Sequence, residues 1–306
     1  MNPLKSSLTA AVAALALLIS PAAMAQVPID ASEMVAPAPT GPALWKVADE
    51  DTTIYLFGTV HVLPDGVKWM TPEIDTALDS SDMLVTEILM SPETTVRTQQ
   101  LVAELGMLPA GTTLRSLLSE EQRLKYEAAM LSLGMPPAAF DPYEPWFATL
   151  NLSLLPLIKH GYQIDQGVEK VLEATADSRL ERGALETIEF QMSIFDGAPI
   201  EAQIAYLEQI VDGVDEVKTM VDAMVAEWVE GDPDGLGAIM NEGMAETPEL
   251  AEAVLYSRNA NWAVWIDERL DQPGTVFVAV GAGHLAGERS VQDLLAQRGI
   301  TVTRVQ

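Results

Sequence analysis

The sequence predicts an α/β (α+β) fold, with a central mixed sheet built from both chain ends and a large helical insert, about residues 93–270, in the middle. Three observations lead there. Apolar, strand-like runs gather near the two ends of the chain, and Leu and Met at three- and four-residue spacings fill the centre. Two of the three histidines also follow such apolar runs in one spelling, Gly-x-x-His, at Gly58–His61 and Gly281–His284.

Residues 1–25 carry Lys5, an apolar stretch from Ala10 to Ile19, and the small-residue end Ala23-Met24-Ala25. That is the pattern of a secretory signal peptide cleaved after Ala25, too short in its apolar part to persist as a membrane span. A periplasmic or secreted protein with no membrane span after cleavage is therefore expected. The chain has no cysteine, which excludes a disulfide, a lipid-attached N-terminal Cys and thiol chemistry. Residues 26–43, rich in Pro and Ala without periodicity, read as an extended leader, and residues 44–306 as a single domain.

Leu44–Ala48 and Thr53–Val60 flank a turn signal and predict a hairpin; residues 72–82 predict a short helix. Met83–Leu89 is a buried-type strand carrying one acid, Glu87. From Glu93 to about Gly161 the pattern is helical, punctuated at Gly106, Gly134 and Pro136-Pro137. A helix over Val168–Leu180 and a short strand at Ala184–Ile188 follow, then helices over 199–270 broken at 230–235. The chain closes with a strand, Thr275–Gly281, a helix, Ser290–Arg298, and a strand, Thr301–Val305.

The net charge of −28 falls to −29 once Lys5 is removed, and so acidic a surface repels nucleic acid and anionic lipid while favouring cationic ligands and divalent metals. A solvated acidic surface accounts for the same balance. The paired Gly-x-x-His is more specific. In open sheets ligands gather beyond the carboxyl ends of strands. Glycine there allows a sharp turn or a close backbone approach, and imidazole binds metal or carries a proton. The copies are separated by 223 residues, from His61 to His284, so only the fold can join them. Two histidines satisfied by backbone hydrogen bonds are the competing structural reading. Gly281-Ala-Gly283-His-Leu-Ala286 also fits a loose dinucleotide fingerprint, but the 20 residues after Ala286 are too few for the rest of that unit. There is neither a G-x-S-x-G elbow nor an H-E-x-x-H helix.

Other residues admit two uses each. Glu87 is a ligand or general base, or a strand-end acid paired with Arg; Arg258 stabilises an oxyanion, or ties Glu87 and Glu186 together. Gln191 and Asn259 orient neighbours, and His160 reads as a helix C-cap with Asp165 and Glu169 just beyond, able to approach the site from the insert. Met220, Met224 and Trp228 form a stripe that Met240 and Met244 repeat; core filling is its ordinary meaning, Cu(I) binding the rarer one.

The segments "LWKV" (44–47), "YLFGTVHVLP" (55–64), "LVTEIL" around Glu87, "LETIEFQ" (185–191), "SRNANW" (257–262) and "VAVGAGHLAGERSVQDLLAQRG" (278–299) resemble the TraB/GumN family. Its wider group includes Tiki metalloproteases, erythromycin esterases and haem-binding ChaN proteins. The resemblance implies a sheet from both termini, a helical insert, and a site where the histidines meet acids. It places His61, Glu87 and His284 at the core, as ligands of a divalent metal such as Mn, Co or Zn, with Glu87, Arg258 and Glu186 as catalytic groups. Gly58, Gly281, Gln191, Asn259, Asp165 and Glu169 form the walls, and Glu169 stands where the family pattern leads us to expect Asp. The implied activity is metal-dependent hydrolysis of a peptide or small-molecule ester. The alternative is a non-catalytic protein that binds haem or a peptide in the same cleft.

Overall fold

Strand β1 (Leu44–Ala48) turns into β2 (Thr52–Thr59) where the Asp49 carboxylate accepts the N–H groups of Asp51 and Thr52, at 3.1 and 2.8 Å. The computed structural model describes residues 41–244 and 248–306; the expected signal peptide and the leader up to residue 40 lie outside the described residues. The remaining strands are β3 (Leu63–Pro64), β4 (Met83–Ile88), β5 (Tyr162–Gln163), β6 (Glu181–Glu186), β7 (Gly274–Gly281) and β8 (Val302–Arg304). Six of them make a sheet in the order β6-β4-β7-β2-β1-β8, while β3 and β5 pair separately.

The sheet is mixed. β2, β7, β4 and β6 run parallel, whereas β1 pairs antiparallel with β2 and with β8. β7 lies at its centre, and Val276, Phe277, Val278, Ala279 and Val280 are all buried, as expected of a strand covered on both faces. Alternation along β2 and β7 then divides the apolar residues between two cores. Phe57 and Phe277 face the helical middle, together with Trp69, Met220, Met224, Trp228 and Met240. Ile54, Leu56, Val276, Val278 and Val280 face the opposite side, packed on Trp262 and Ile266 of the helix Ser257–Leu270 and on Val291 and Leu295 of the helix Val291–Gln297. The methionine stripe, as far as Met240, is thus core.

The helical middle differs from its sequence reading in one respect that matters for the site. The helix predicted to reach Leu180 spans Val168–Thr175, and the strand expected at 184–188 occupies Glu181–Glu186. That strand joins the sheet beside β4, so the sheet draws an edge from inside the predicted insert and is not built from the chain ends alone. Thr187 follows directly as an N-cap, its hydroxyl accepting the Phe190 N–H, and fixes where the strand stops. Similarly, the helix expected over 72–82 is Pro72–Asp79. His160 caps the helix Pro145–Lys159, with Nδ1 2.7 Å from the Pro156 carbonyl. Among the described residues no helix is long and apolar enough to cross a membrane.

Candidate active site

Four parallel strands put four carboxyl ends along one edge of the sheet, which is where ligands gather in such folds. His61 follows β2, Glu87 lies near the end of β4, Glu186 ends β6, and His284 sits in the 3₁₀ turn Ala282–Leu285 after β7. The two motif glycines bring these elements together by close approach, since neither has a positive φ. A Cβ on Gly58 would stand 2.9 Å from the Ala282 Cα, so the first motif packs directly on the backbone of the second. A Cβ on Gly281 would stand 3.1 Å from Glu87 Oε1 and 3.9 Å from His61 Nε2. The bare face of Gly281 is therefore the meeting place of the site's polar groups.

His61 is held through Nδ1 by Glu169 Oε1 at 2.6 Å, and the same oxygen accepts the Thr59 hydroxyl at 2.5 Å. Gly167 makes this possible: a Cβ there would fall 2.2 Å from the His61 carbonyl oxygen, so only glycine lets the helix Val168–Thr175 begin against that carbonyl. Burial pulls the His61 pKa down, but the charge and hydrogen bond of Glu169, with the charge of Glu87, outweigh it and lift the pKa to about 9.

His284 has the opposite surroundings. Its Nδ1 lies 2.6 Å from Asn259 Oδ1, while Asn259 Nδ2 donates to the Arg289 carbonyl at 2.9 Å. With the amide so oriented, His284 carries its proton on Nδ1, and Nε2 accepts from Arg258 Nη1 at 3.2 Å. Burial and the Arg258 charge push its pKa down to about 3.

Arg258 ties the cluster together. Its Nη2 donates to Glu87 Oε2 at 2.5 Å and Glu186 Oε2 at 2.8 Å, Nε donates to Glu186 Oε1 at 2.9 Å, and Nη1 reaches the Val254 carbonyl at 3.0 Å. A π-helical turn, Glu252–Tyr256, immediately precedes the helix that carries Arg258 and includes that carbonyl. With its donors all engaged, the guanidinium holds carboxylates in place and has no N–H left for an oxyanion. Glu87 is further bonded by Gln191 Nε2 at 3.0 Å and by the Gly281 N–H at 2.8 Å. Burial opposes its charge, yet Arg258 and the histidines hold it well below the usual carboxylate range. Glu186 also accepts Trp262 Nε1 at 2.9 Å.

The structure thus gathers His61, Glu87, Glu169, Glu186, Gln191, Arg258, Asn259 and His284, with Gly58 and Gly281 as their backbone support. Asp165 is not gathered: its side chain is 89% exposed and pairs with Lys170 Nζ at 3.4 Å. Sequence reasoning missed Thr59 and Trp262, although both lie inside segments that carry the resemblance. It also missed the apolar wall. A cavity of about 330 Å³ opens over His61, Glu87 and Arg258, walled by Ile88, Met90, Leu154, Ile164 and Phe195. Only Ile88 of these lies in a segment that carries the resemblance, and nothing there marks it as a wall residue.

The model of the TraB/PrgY/gumN family matches residues 43–304, nearly all of the described chain. The chain belongs to the TraB/PrgY/gumN family. An uncharacterised protein of Treponema pallidum (strain Nichols) is 25% identical over 272 residues, covering 83% of this chain and 80% of its own. The uncharacterised protein YbaP of Escherichia coli (strain K12) is 22% identical over 257 residues, covering 84% of this chain and 92% of its own, as is its counterpart in Shigella flexneri. No solved structure matches.

In this TraB/PrgY/gumN-family site the donors suit a divalent ion in kind. Two imidazoles, each anchored through Nδ1 by an oxygen, present Nε2 beside a carboxylate, which is how histidine ligands are commonly held by their outer shell. As the side chains stand, His284 Nε2 is shared with Arg258, and among the described residues no three His, Asp or Glu form a group placed to hold an ion. An ion would need that 3.2 Å contact to yield and His61 to lose its proton.

Proposed function

We propose that this chain is an exported hydrolase of peptide or ester bonds, assisted by a divalent ion such as Mn, Co or Zn. One observation carries the reading: two imidazoles from opposite ends of the chain, each fixed through Nδ1, converge with Glu87 on the bare face of Gly281 under an apolar-walled cavity. The signal-peptide pattern of residues 1–25 supports export. His61, His284 and Glu87 would hold the ion, which when bound polarises a substrate carbonyl and acidifies a water.

The chain's own groups do the rest. Glu169 fixes the proton of His61 on Nδ1 and so leaves Nε2 as the open nitrogen. Arg258 compensates Glu186 and Oε2 of Glu87, leaving Glu87 Oε1, bonded by the Gly281 N–H, as the oxygen that would face the ion. The walls formed by Ile88, Leu154 and Phe195 exclude bulk water and receive an apolar side chain of the substrate.

Calorimetry with Mn, Co and Zn separately, on the mature protein and on His61→Ala and His284→Ala, tests this. One tight site lost in both variants is the expected result and selects the ion for a peptidase and esterase screen. Absent binding, or binding that both variants retain, removes the metal from the reading and leaves the cleft as a metal-free catalyst or a binding pocket for haem or a peptide.

A further inference from the structure

Among the described residues, Arg289 is the one residue other than glycine whose backbone lies in the left-handed region, with φ at 58°. That conformation crowds Cβ against a carbonyl oxygen and persists only where the surroundings enforce it. Two contacts of the side chain do so here. The guanidinium forks onto Glu252, Nη1 donating to Oε2 at 2.9 Å and Nη2 to Oε1 at 3.3 Å, and its Cζ sits 4.0 Å from the centre of the Tyr256 ring. Glu252 and Tyr256 are the first and last residues of the π-helical turn, so Arg289 fastens the loop that follows the Ala282–Leu285 turn to it. The ion pair is half exposed, and Arg289 does not line the reaction cavity.

What the left-handed turn places is a carbonyl. The Arg289 oxygen accepts Asn259 Nδ2 at 2.9 Å, and Asn259, itself buried, has Oδ1 2.6 Å from His284 Nδ1. A side-chain amide has one donating and one accepting end, so the carbonyl decides which end meets the imidazole. With Nδ2 spent on Arg289, Oδ1 faces the ring, the proton stays on Nδ1, and Nε2 is left bare beside Arg258 and Glu87. Were the carbonyl turned away, Nδ2 would be buried without an acceptor. Reversing the amide would then set an N–H against Nδ1 and drive the ring proton to Nε2, where it would meet a second donor, Arg258 Nη1.

We propose that Arg289 is a positioning residue: its clamp on Glu252 and Tyr256 holds its backbone left-handed, and its carbonyl, through Asn259, selects the Nδ1–H tautomer of His284. This role stands on the contacts alone. Its bearing on ion binding rests on the hydrolase reading, because only an imidazole with a bare Nε2 can become a ligand there.

Long-range proton–nitrogen NMR of the imidazole rings at neutral pH tests the proposal, since protonated and bare ring nitrogens resonate far apart. The native chain should show His284 in the Nδ1–H form alone. Arg289→Ala, which removes the clamp and keeps a Cβ, should bring the Nε2–H form to roughly a tenth of the molecules or more. Glu252→Gln, which weakens the fork from the other side, should shift it in the same direction. Arg289→Gly gives up the clamp but takes a positive φ without strain, and should restore the Nδ1–H form. A merely structural clamp would lower the unfolding temperature of all three variants and leave the tautomer unmoved; that result overturns the proposal. So does Arg289→Gly with as much of the Nε2–H form as Arg289→Ala, because the backbone would then not be the link. Tautomers that respond as expected in a protein that binds no Mn, Co or Zn would uphold the role of Arg289 and remove only its bearing on the ion.

Discussion

The side chain of His61 is 41% exposed and gives its Nδ1 to a carboxylate, whereas that of His284 is 5% exposed and gives its Nδ1 to an amide. Both follow a glycine by three residues, and both lie just beyond adjacent parallel strands. Their pKa values nonetheless separate, to about 9 and about 3. The motif determines where an imidazole stands; its neighbours determine its charge. A carboxylate partner keeps His61 cationic at neutral pH, and burial together with a guanidinium within hydrogen-bond distance keeps His284 neutral. Environments that push two titratable groups apart are characteristic of catalytic pairs. The motif glycines differ in the same way, since Gly58 serves backbone packing and Gly281 leaves room for Glu87.

The most severe way to break the comparison is Arg258→Ala. It leaves Glu87 and Glu186 buried without their cation, and we expect a loss of about 3–5 kcal/mol in urea unfolding. In NMR titrations the His284 pKa should rise, because the charge that lowers it is gone. A variant with unchanged stability would show that the carboxylates do not depend on Arg258.

Next come the glycines. Gly58→Ala drives a methyl into the Ala282 backbone and should cost about 2–3 kcal/mol. Gly281→Ala meets the end of a side chain, Glu87 Oε1, at 3.1 Å and should cost less than half as much while abolishing the ion binding proposed above. Equal thermal shifts in the two variants would contradict the division of labour between them. Asn259→Ala, which leaves the His284 Nδ1–H without its acceptor, should cost about 1–2 kcal/mol and leave the Glu169–His61 pair untouched. A displaced His61 resonance in that variant would mean that the two histidines are coupled more tightly than their separate partners imply.

How far the sequence anticipates this site depends on the kind of feature. Terminal strands, their apolar runs and the paired Gly-x-x-His were legible because a strand buried on both faces leaves a continuous apolar signature, as Val276–Val280 does. The membership of β6 in the sheet was not legible. Its burial is only intermediate, and the segment Glu181–Glu186 is marked as a strand chiefly by its pairing with β4. Arg258 was singled out with two roles open, because a sequence cannot count how many N–H groups a fold will engage; the π turn that brings the Val254 carbonyl to it has no sequence mark. Asp165 and Glu169 were both expected to approach the site from the insert. The short 3₁₀ turn Ile164–Gln166 and the helix that starts at Val168 send the first into solvent and the second against His61.

The finest test sharpens the His61 side alone. Because the folded pKa of His61, about 9, is raised above its ordinary value of 6.5, the stability it contributes is complete below pH 6.5 and is lost as pH rises through 9. Glu169 stays ionised throughout that window, since its pKa is lowered, so the slope belongs to the histidine. At 41% exposure solvent screens the pair, and we expect a decline of about 1 kcal/mol between these limits. Glu169→Gln should flatten the slope and return His61 toward an ordinary titration, which is readily assigned in a chain with three histidines. An unchanged slope in Glu169→Gln would sink the assignment. The same proton bears on the proposed ion: it must leave His61 before Nε2 can become a ligand, so ion affinity should strengthen from pH 7 to 9 in the native chain. In Glu169→Gln that gain should largely vanish, because the imidazole is already neutral at pH 7 and the ion displaces no proton.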